Sequence, residues 1–183
     1  KQALNHVEAD RVPIDFGGTQ TGIHRIAYMN LLKYLGLKEE IKIIDINQQL
    51  AQVSEQVLQE LEIDTRYVIE PVEIELSEIK KGFIGYKDIW GVIRGERKGR
   101  PITYLNIIEN PLKDAKEADL GHYDWPDPLN EKLFENAFCS AKKIKERSNY
   151  AIVSRTIGVI FEACWKMRGM DTFFMDLIAN PSF

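Results

Sequence analysis

Three short apolar runs constrain the fold more than any other feature: VPIDF at 12–16, DTRYVIE at 64–70 and YAIVS at 150–154. They are strand-length segments, and stretches with helical spacing lie between them. Strands separated by helices need crossover connections and pair most simply in a parallel sheet, so an α/β class is expected. Pro13 places the first run near a strand start or edge. YAIVS is apolar enough to be buried on both faces, as parallel strands are.

The intervening segments carry their own signals. From Gly22 to Leu35 the residues Ile23, Ile26, Ala27, Leu31, Tyr34 and Leu35 recur at helical spacing, and Gly36 stands where a left-handed cap stops a helix. A second helical stretch is expected from Ile46 to Leu61, with Leu50, Val53, Val57, Leu58 and Leu61 on one face. Ser54 divides it, because serine caps a helix start better than it continues a helix. Residues 73–105 change character, with alternation at Val72, Ile74 and Leu76 and the polar turn GERKGR, the pattern of antiparallel hairpins with one solvated face. Asp127 is an expected N-cap with Pro128 at the first helical position, opening a helix to about Arg147. That helix is expected to pack through Leu129, Leu133, Phe134, Ala137, Phe138, Ala141 and Ile144. A helix from about Val159 to Arg168 and a last one capped by Asp171 follow. Cys164 is expected in the core and Cys139 in the core or at its boundary.

At 183 residues the chain is one domain's worth, and its net charge of −4 gives no basic field for nucleic acid. No apolar run approaches the roughly 20 residues that cross a bilayer, and no signal-peptide pattern precedes the first strand. Two cysteines do not make a disulfide framework, so a cytoplasmic protein is expected. Lys1 in place of Met, and the ending DLIANPSF in mid-pattern, predict a piece of a longer protein.

The loop GGTQTG after the first run tempts a nucleotide reading, but Gly17, Gly18 and Gly22 fit neither the phosphate-loop nor the dinucleotide spacing, and no lysine follows. Asp15-Phe16-Gly17 lacks the catalytic loop that accompanies it in kinases. Two readings of the loop stay open: a sharp strand-to-helix turn, or a ligand loop at the carboxyl end of a parallel strand. Asp15 is a carboxylate in an apolar strand and needs either a partner or a substrate. His6, His24 and His122 have no metal-site spacing. His24, early in the helix after the loop, reaches a pocket mouth or serves at the surface or as a cap. Arg155, after the third run, clamps a substrate carboxylate or pairs with Asp15 or Glu162. Glu73, Glu75 and Glu78 have the spacing of a solvated strand face, whereas Glu70 sits at the exit of the second run.

Several stretches together resemble the uroporphyrinogen decarboxylase family: ALNHVEADRVPIDFGGT, LEIDTRYV, DIWGVIR, HYDWPDP and YAIVSRTIGVIFEACWKMRGMDTFFMDLIANPSF. The resemblance runs nearly the whole chain, in order. It implies a (β/α)8 TIM barrel with its site at the carboxyl ends of the strands. Residues 1–183 would supply the first three βα units, with a hairpin excursion at 70–110, and the remaining strands would lie beyond Phe183. The family's true decarboxylases strip acetate groups from a tetrapyrrole without a cofactor, and resemble one another in an early RQAGR segment whose arginines hold substrate carboxylates. Here that place reads IDFGGTQTG, and DTRYVIE replaces an FSDI-like stretch. DRVPIDFGG and GVIFEACWKMRGM look more like the branch of methyltransferases that act with a corrinoid protein, commonly with zinc held by later strands outside this segment. The expectation is therefore a methyltransferase acting on a small methylated substrate, with Asp15, Thr19, His24, Glu70, Arg155 and Glu162 lining the mouth and a homodimer as its assembly. A true uroporphyrinogen decarboxylase of porphyrin biosynthesis, and a non-catalytic barrel-derived binding subunit, are the alternatives.

Overall fold

A computed structural model describes residues 2–69, 74–154 and 160–180. In chain order the elements are α1 (Arg25–Leu35), β1 (Ile43–Asp45), β2 (Leu50–Ala51), α2 (Glu55–Glu60), β3 (Thr65–Val68), β4 (Ser77–Lys80), β5 (Phe83–Lys87), β6 (Ile93–Arg97), β7 (Asn106–Glu109), α3 (Lys132–Arg147), β8 (Ala151–Ser154), α4 (Ile160–Arg168) and α5 (Met170–Ala179). Short 3-10 turns lie at Ala3–Asn5 and Glu117–His122. The chain divides into two compact units, Lys1–Glu73 with Asn130–Arg155, and Ile74–Leu129 with Thr156–Phe183.

In the first unit α1 ends as expected. Gly36 adopts φ 71°, and the Leu37 N–H donates to the Leu32 carbonyl at 2.9 Å, closing the helix end. Tyr28 and Leu32 of α1 pack with Ala51, Val53, Val57, Leu58 and Ile63 in one apolar core. Burial of this kind is the main driving force of the fold, about 1.5–3 kcal/mol for each large side chain removed from water. The Tyr28 hydroxyl inside it is satisfied, donating to Glu39 Oε2 at 3.2 Å and accepting from the Ser54 N–H at 3.0 Å. Ser54 also caps α2, its hydroxyl accepting from the Val57 N–H at 3.3 Å.

The helix expected across Ile46–Ser54 is instead the hairpin of β1 and β2. Buried Asp45 opens a turn there, its Oδ1 accepting from the Asn47 N–H at 2.9 Å and the Gln48 N–H at 3.0 Å. Gln49 then adopts φ 54°, and a left-handed residue cannot continue a right-handed helix, so the chain turns back into β2 after one turn.

β3 and β8 pair in parallel, in register from Thr65 opposite Ala151 to Val68 opposite Ser154. The TIM-barrel expectation does not hold. This pair is the whole parallel sheet among the described residues; the four-stranded sheet is antiparallel, and no succession of parallel βα units is formed. VPIDF is not a strand. The Ile14 N–H donates to the Asp64 side chain at 2.8 Å, and the Ile14 carbonyl accepts from the Asp64 N–H at 3.0 Å. A carboxylate thus takes a bond that a strand ladder would have used, and Pro13 has no N–H to offer. Val12 is 81% exposed, so the run is not a buried one. Nor is β8 buried on both faces, since Ala151 and Val153 are half-buried while Ile152 and Ser154 are exposed.

α3 begins at Lys132 rather than at Pro128; Asp127 accepts the Leu129 N–H at 2.9 Å in a turn ahead of the helix. Ala137, Ala141 and Ile144 are half-buried, whereas Leu129, Phe134 and Phe138 are exposed. The expected core positions of Cys139 and Cys164 are corrected as well, both thiols being exposed.

In the second unit the excursion expected between residues 70 and 110 is the antiparallel meander β4-β5-β6-β7. Val92, Leu112 and Met167 form its core, with Trp90, Ile107 and Tyr123 against them. Arg168 at the end of α4 is buried and donates to the carbonyls of Leu112 (2.6 Å), Lys113 (3.2 Å) and Ala115 (2.7 Å) and to Asp176 at 2.7 Å. α5 begins at Met170 after Gly169, so Asp171 lies in its first turn rather than capping it. No helix among the described residues is long and apolar enough to cross a membrane.

Candidate functional site

Asp15 is the centre of a cluster of hydroxyls. Thr65 donates to its Oδ1 at 2.5 Å, and Tyr67 and Thr21 donate to its Oδ2 at 2.7 and 3.1 Å. Thr65 and Tyr67 are two residues apart on β3 and share a face, while Arg66 and Val68 turn into the core. Thr21 is brought in by the loop, which closes when the Gly17 N–H donates to the Thr21 carbonyl at 3.1 Å with Gly17 at φ 96°. Gly18 is buried directly under the Tyr67 ring: a Cβ there would lie 2.2 Å from Cζ and 2.3 Å from Cε1. Position 18 is glycine because the tyrosine ring occupies the space of a side chain there.

The electrostatics follow from this geometry. Partial burial pushes the Asp15 carboxyl up. The hydrogen bonds from Thr65, Tyr67, Thr21 and the Phe16 N–H outweigh it and hold Asp15 below the usual carboxylate range. A general base works best near the operating pH, so Asp15 fits the role of an ionised acceptor that orients hydroxyls. Tyr67 is pushed up by burial and by the Asp15 charge, which keeps its proton on oxygen.

Beside the cluster is a hollow of about 150 Å³, lined among others by Phe16, Gly17, Val53, Leu58, Arg66 and Tyr67. Arg66 forms its polar wall. Nε and Nη2 meet the two oxygens of Glu55 at 2.7 and 2.9 Å, Nη1 donates to the carbonyls of Ile63 (2.7 Å) and Thr65 (2.8 Å), and the guanidinium lies 3.6 Å from the Tyr150 ring centre. Those bonds hold Glu55 below the usual carboxylate range, against a smaller opposing effect of burial.

The six residues expected at the mouth are placed differently from one another. Asp15 is in the cluster. Thr19 donates to Gln20 at 2.7 Å, and its neighbour Thr21 faces Asp15. His24 is the N-cap of α1, its Nδ1 accepting from the Ile26 N–H at 3.2 Å. Glu162 belongs to the other unit and pairs with Lys166 one turn along α4, at 2.5 Å. Glu70 and Arg155 lie outside the described residues. Thr21, Thr65 and Tyr67 were not foreseen; the available signal was the period of two in TRYV, which puts both hydroxyls on one face.

Among the described residues no group of three or more His, Cys, Asp and Glu is arranged to hold a metal ion, so the donor set here does not fit zinc. Comparison with protein-family models, with curated proteins and with solved structures finds no significant match.

Proposed function

We propose that the chain belongs to an enzyme similar to the uroporphyrinogen decarboxylase family, of its methyltransferase kind, acting on a small methylated substrate together with a corrinoid protein. The observation that carries the choice of branch is the size and lining of the site. A hollow of about 150 Å³ beside Tyr67 is well under the roughly 300–1,000 Å³ of sites for drug-sized ligands, and suits a group of a few non-hydrogen atoms rather than a four-ring macrocycle. The charge agrees with the size. The loop presents Asp15, held ionised, where a polycarboxylate tetrapyrrole would need cations. The reading rests on the sequence stretches and on this cluster, not on a barrel.

In it, Asp15 fixes the Tyr67 and Thr21 hydroxyls, and Tyr67 lines the hollow that takes the substrate. The corrinoid, on its partner protein, would supply the methyl-accepting or methyl-donating metal, and no step of that chemistry is assigned to residues of this chain. Zinc, in this reading, would be held by residues outside this segment. The protein would work in the cytoplasm.

The test is an assay of the purified protein with cob(I)alamin and a panel of small methylated amines, thiols and alcohols, followed by the absorbance change on cobalt methylation. Turnover with one substrate class is expected. Acetate decarboxylation of uroporphyrinogen without methyl transfer would replace this reading by the true decarboxylase, and saturable binding with neither activity would replace it by the binding subunit.

A further inference from the structure

A second hollow, of about 600 Å³, lies at the carboxyl end of α1 and shares no lining residue with the one beside Tyr67. Its formation follows from the cap. The left-handed turn at Gly36 folds the chain back, and Leu37 and Ile41 pack on the same core as Leu32. Leu32, Leu37, Ile41 and the half-exposed Met29 make an apolar floor, and Lys33 and Lys38 stand at the rim. The volume lies inside the roughly 300–1,000 Å³ typical of small-molecule sites.

The charge around this floor decides what fits it. Lys33 and Lys38 are exposed, and neither has an ion-pair partner among the described residues. Glu39 is the single carboxylate of the lining, and both its oxygens are engaged, Oε1 by the Ser54 hydroxyl at 2.8 Å and Oε2 by the Tyr28 hydroxyl at 3.2 Å. The end of α1 adds about half a negative charge. Two ammonium groups against one carboxylate and that half charge leave the rim positive. A ligand that matches both layers has an apolar body for the floor and an anionic head for the lysines. A neutral amphiphile satisfies the floor alone, and a cationic one is repelled.

We propose that this hollow binds a small amphipathic carboxylate of the medium-chain fatty-acid type. The inference is independent of the function proposed above, since it uses none of the same residues.

The methionines make the test specific. The chain has four, at 29, 167, 170 and 175. Met29 lines the hollow, Met167 is buried in the core of the other unit, and Met170 and Met175 are exposed on α5. With the full chain labelled at its methionine methyl carbons, decanoate is titrated below its micellar concentration and the four methyl resonances are followed by NMR. Decanoate is expected to shift Met29 saturably while Met170 and Met175 stay still. Decanol and decyltrimethylammonium are expected to bind at least about tenfold more weakly, and so is decanoate to the Lys33→Gln, Lys38→Gln double variant, a difference corresponding to about 1.4 kcal/mol. Unchanged far-ultraviolet circular dichroism and an unchanged urea midpoint check that the variant keeps its fold. The proposal is overturned if Met29 does not move, if Met170 and Met175 shift in parallel with it, or if neither head-group charge nor the lysine replacements alter the affinity.

Discussion

The Tyr67 hydroxyl donates to Asp15 Oδ2 at 2.7 Å while its ring fills the space over Gly18. One side chain therefore helps to hold the carboxylate ionised and excludes any side chain at Gly18. Replacing Gly18 by Ala would put a methyl group within 2.3 Å of two ring carbons, so the ring has to move. The expected cost is about 1–3 kcal/mol, the usual range for overpacking. Tyr67→Phe loses only the hydroxyl bond and should cost about 0.5–1.5 kcal/mol. In a Tyr67→Leu background the Gly18→Ala cost should shrink, which urea unfolding of the double-mutant cycle would measure. Equal costs in both backgrounds would refute the contact.

The Asp15 carboxyl is held below its ordinary value, so the folded state binds its proton less tightly than the unfolded chain does. Its contribution to stability is then complete above the unfolded value of about 3.9 and is lost as the pH falls through the lower folded value. The stability gap between the wild type and Asp15→Asn should be constant near neutral pH and narrow below about pH 4. A gap that does not narrow in acid would sink this assignment.

Arg66 is buried, whereas its partner Glu55 has 54% of its side chain exposed. The two ends of this pair are therefore unequal. Glu55→Gln should cost less than about 1 kcal/mol, as for a solvent-screened pair. Arg66→Lys gives up the bidentate fork, the bonds to Ile63 and Thr65 and the stacking on Tyr150, and about 1–3 kcal/mol is expected. Chemical denaturation of the two variants should rank them in that order.

In the second unit Arg168 holds the carbonyls of Leu112, Lys113 and Ala115. Arg168→Gln leaves buried acceptors short of donors, and a loss of about 1–3 kcal/mol is expected. Amide hydrogen exchange should speed up in residues 110–115 and in α4 of this variant. Unchanged exchange there would show that Arg168 does not tie these segments together.

Much of the local structure was legible in the sequence. Gly36 ends α1 and Ser54 caps α2 because both signals act within four residues of where they stand. GERKGR ends β6 and enters the turn that follows, since alternation and glycine report a hairpin directly. The helix expected after Asp45 stops at Gln49, whose left-handed backbone is not signalled by its residue type. Asp15 stood out as a carboxylate in need of a partner; His24 was open between a pocket and a cap until the Ile26 N–H was found on its Nδ1.

By itself, then, the sequence determined the end of α1, the cap of α2 and the antiparallel hairpins, because capping and turn formation are decided by near neighbours. The tertiary structure decided that Thr65 and Tyr67 reach Asp15 across separations of 50 and 52 residues. It also decided that VPIDF bonds to the Asp64 side chain instead of joining a barrel sheet. Those outcomes depend on which distant donor the packing of the whole unit brings to a given acceptor, and a linear pattern of apolar and polar residues does not specify that.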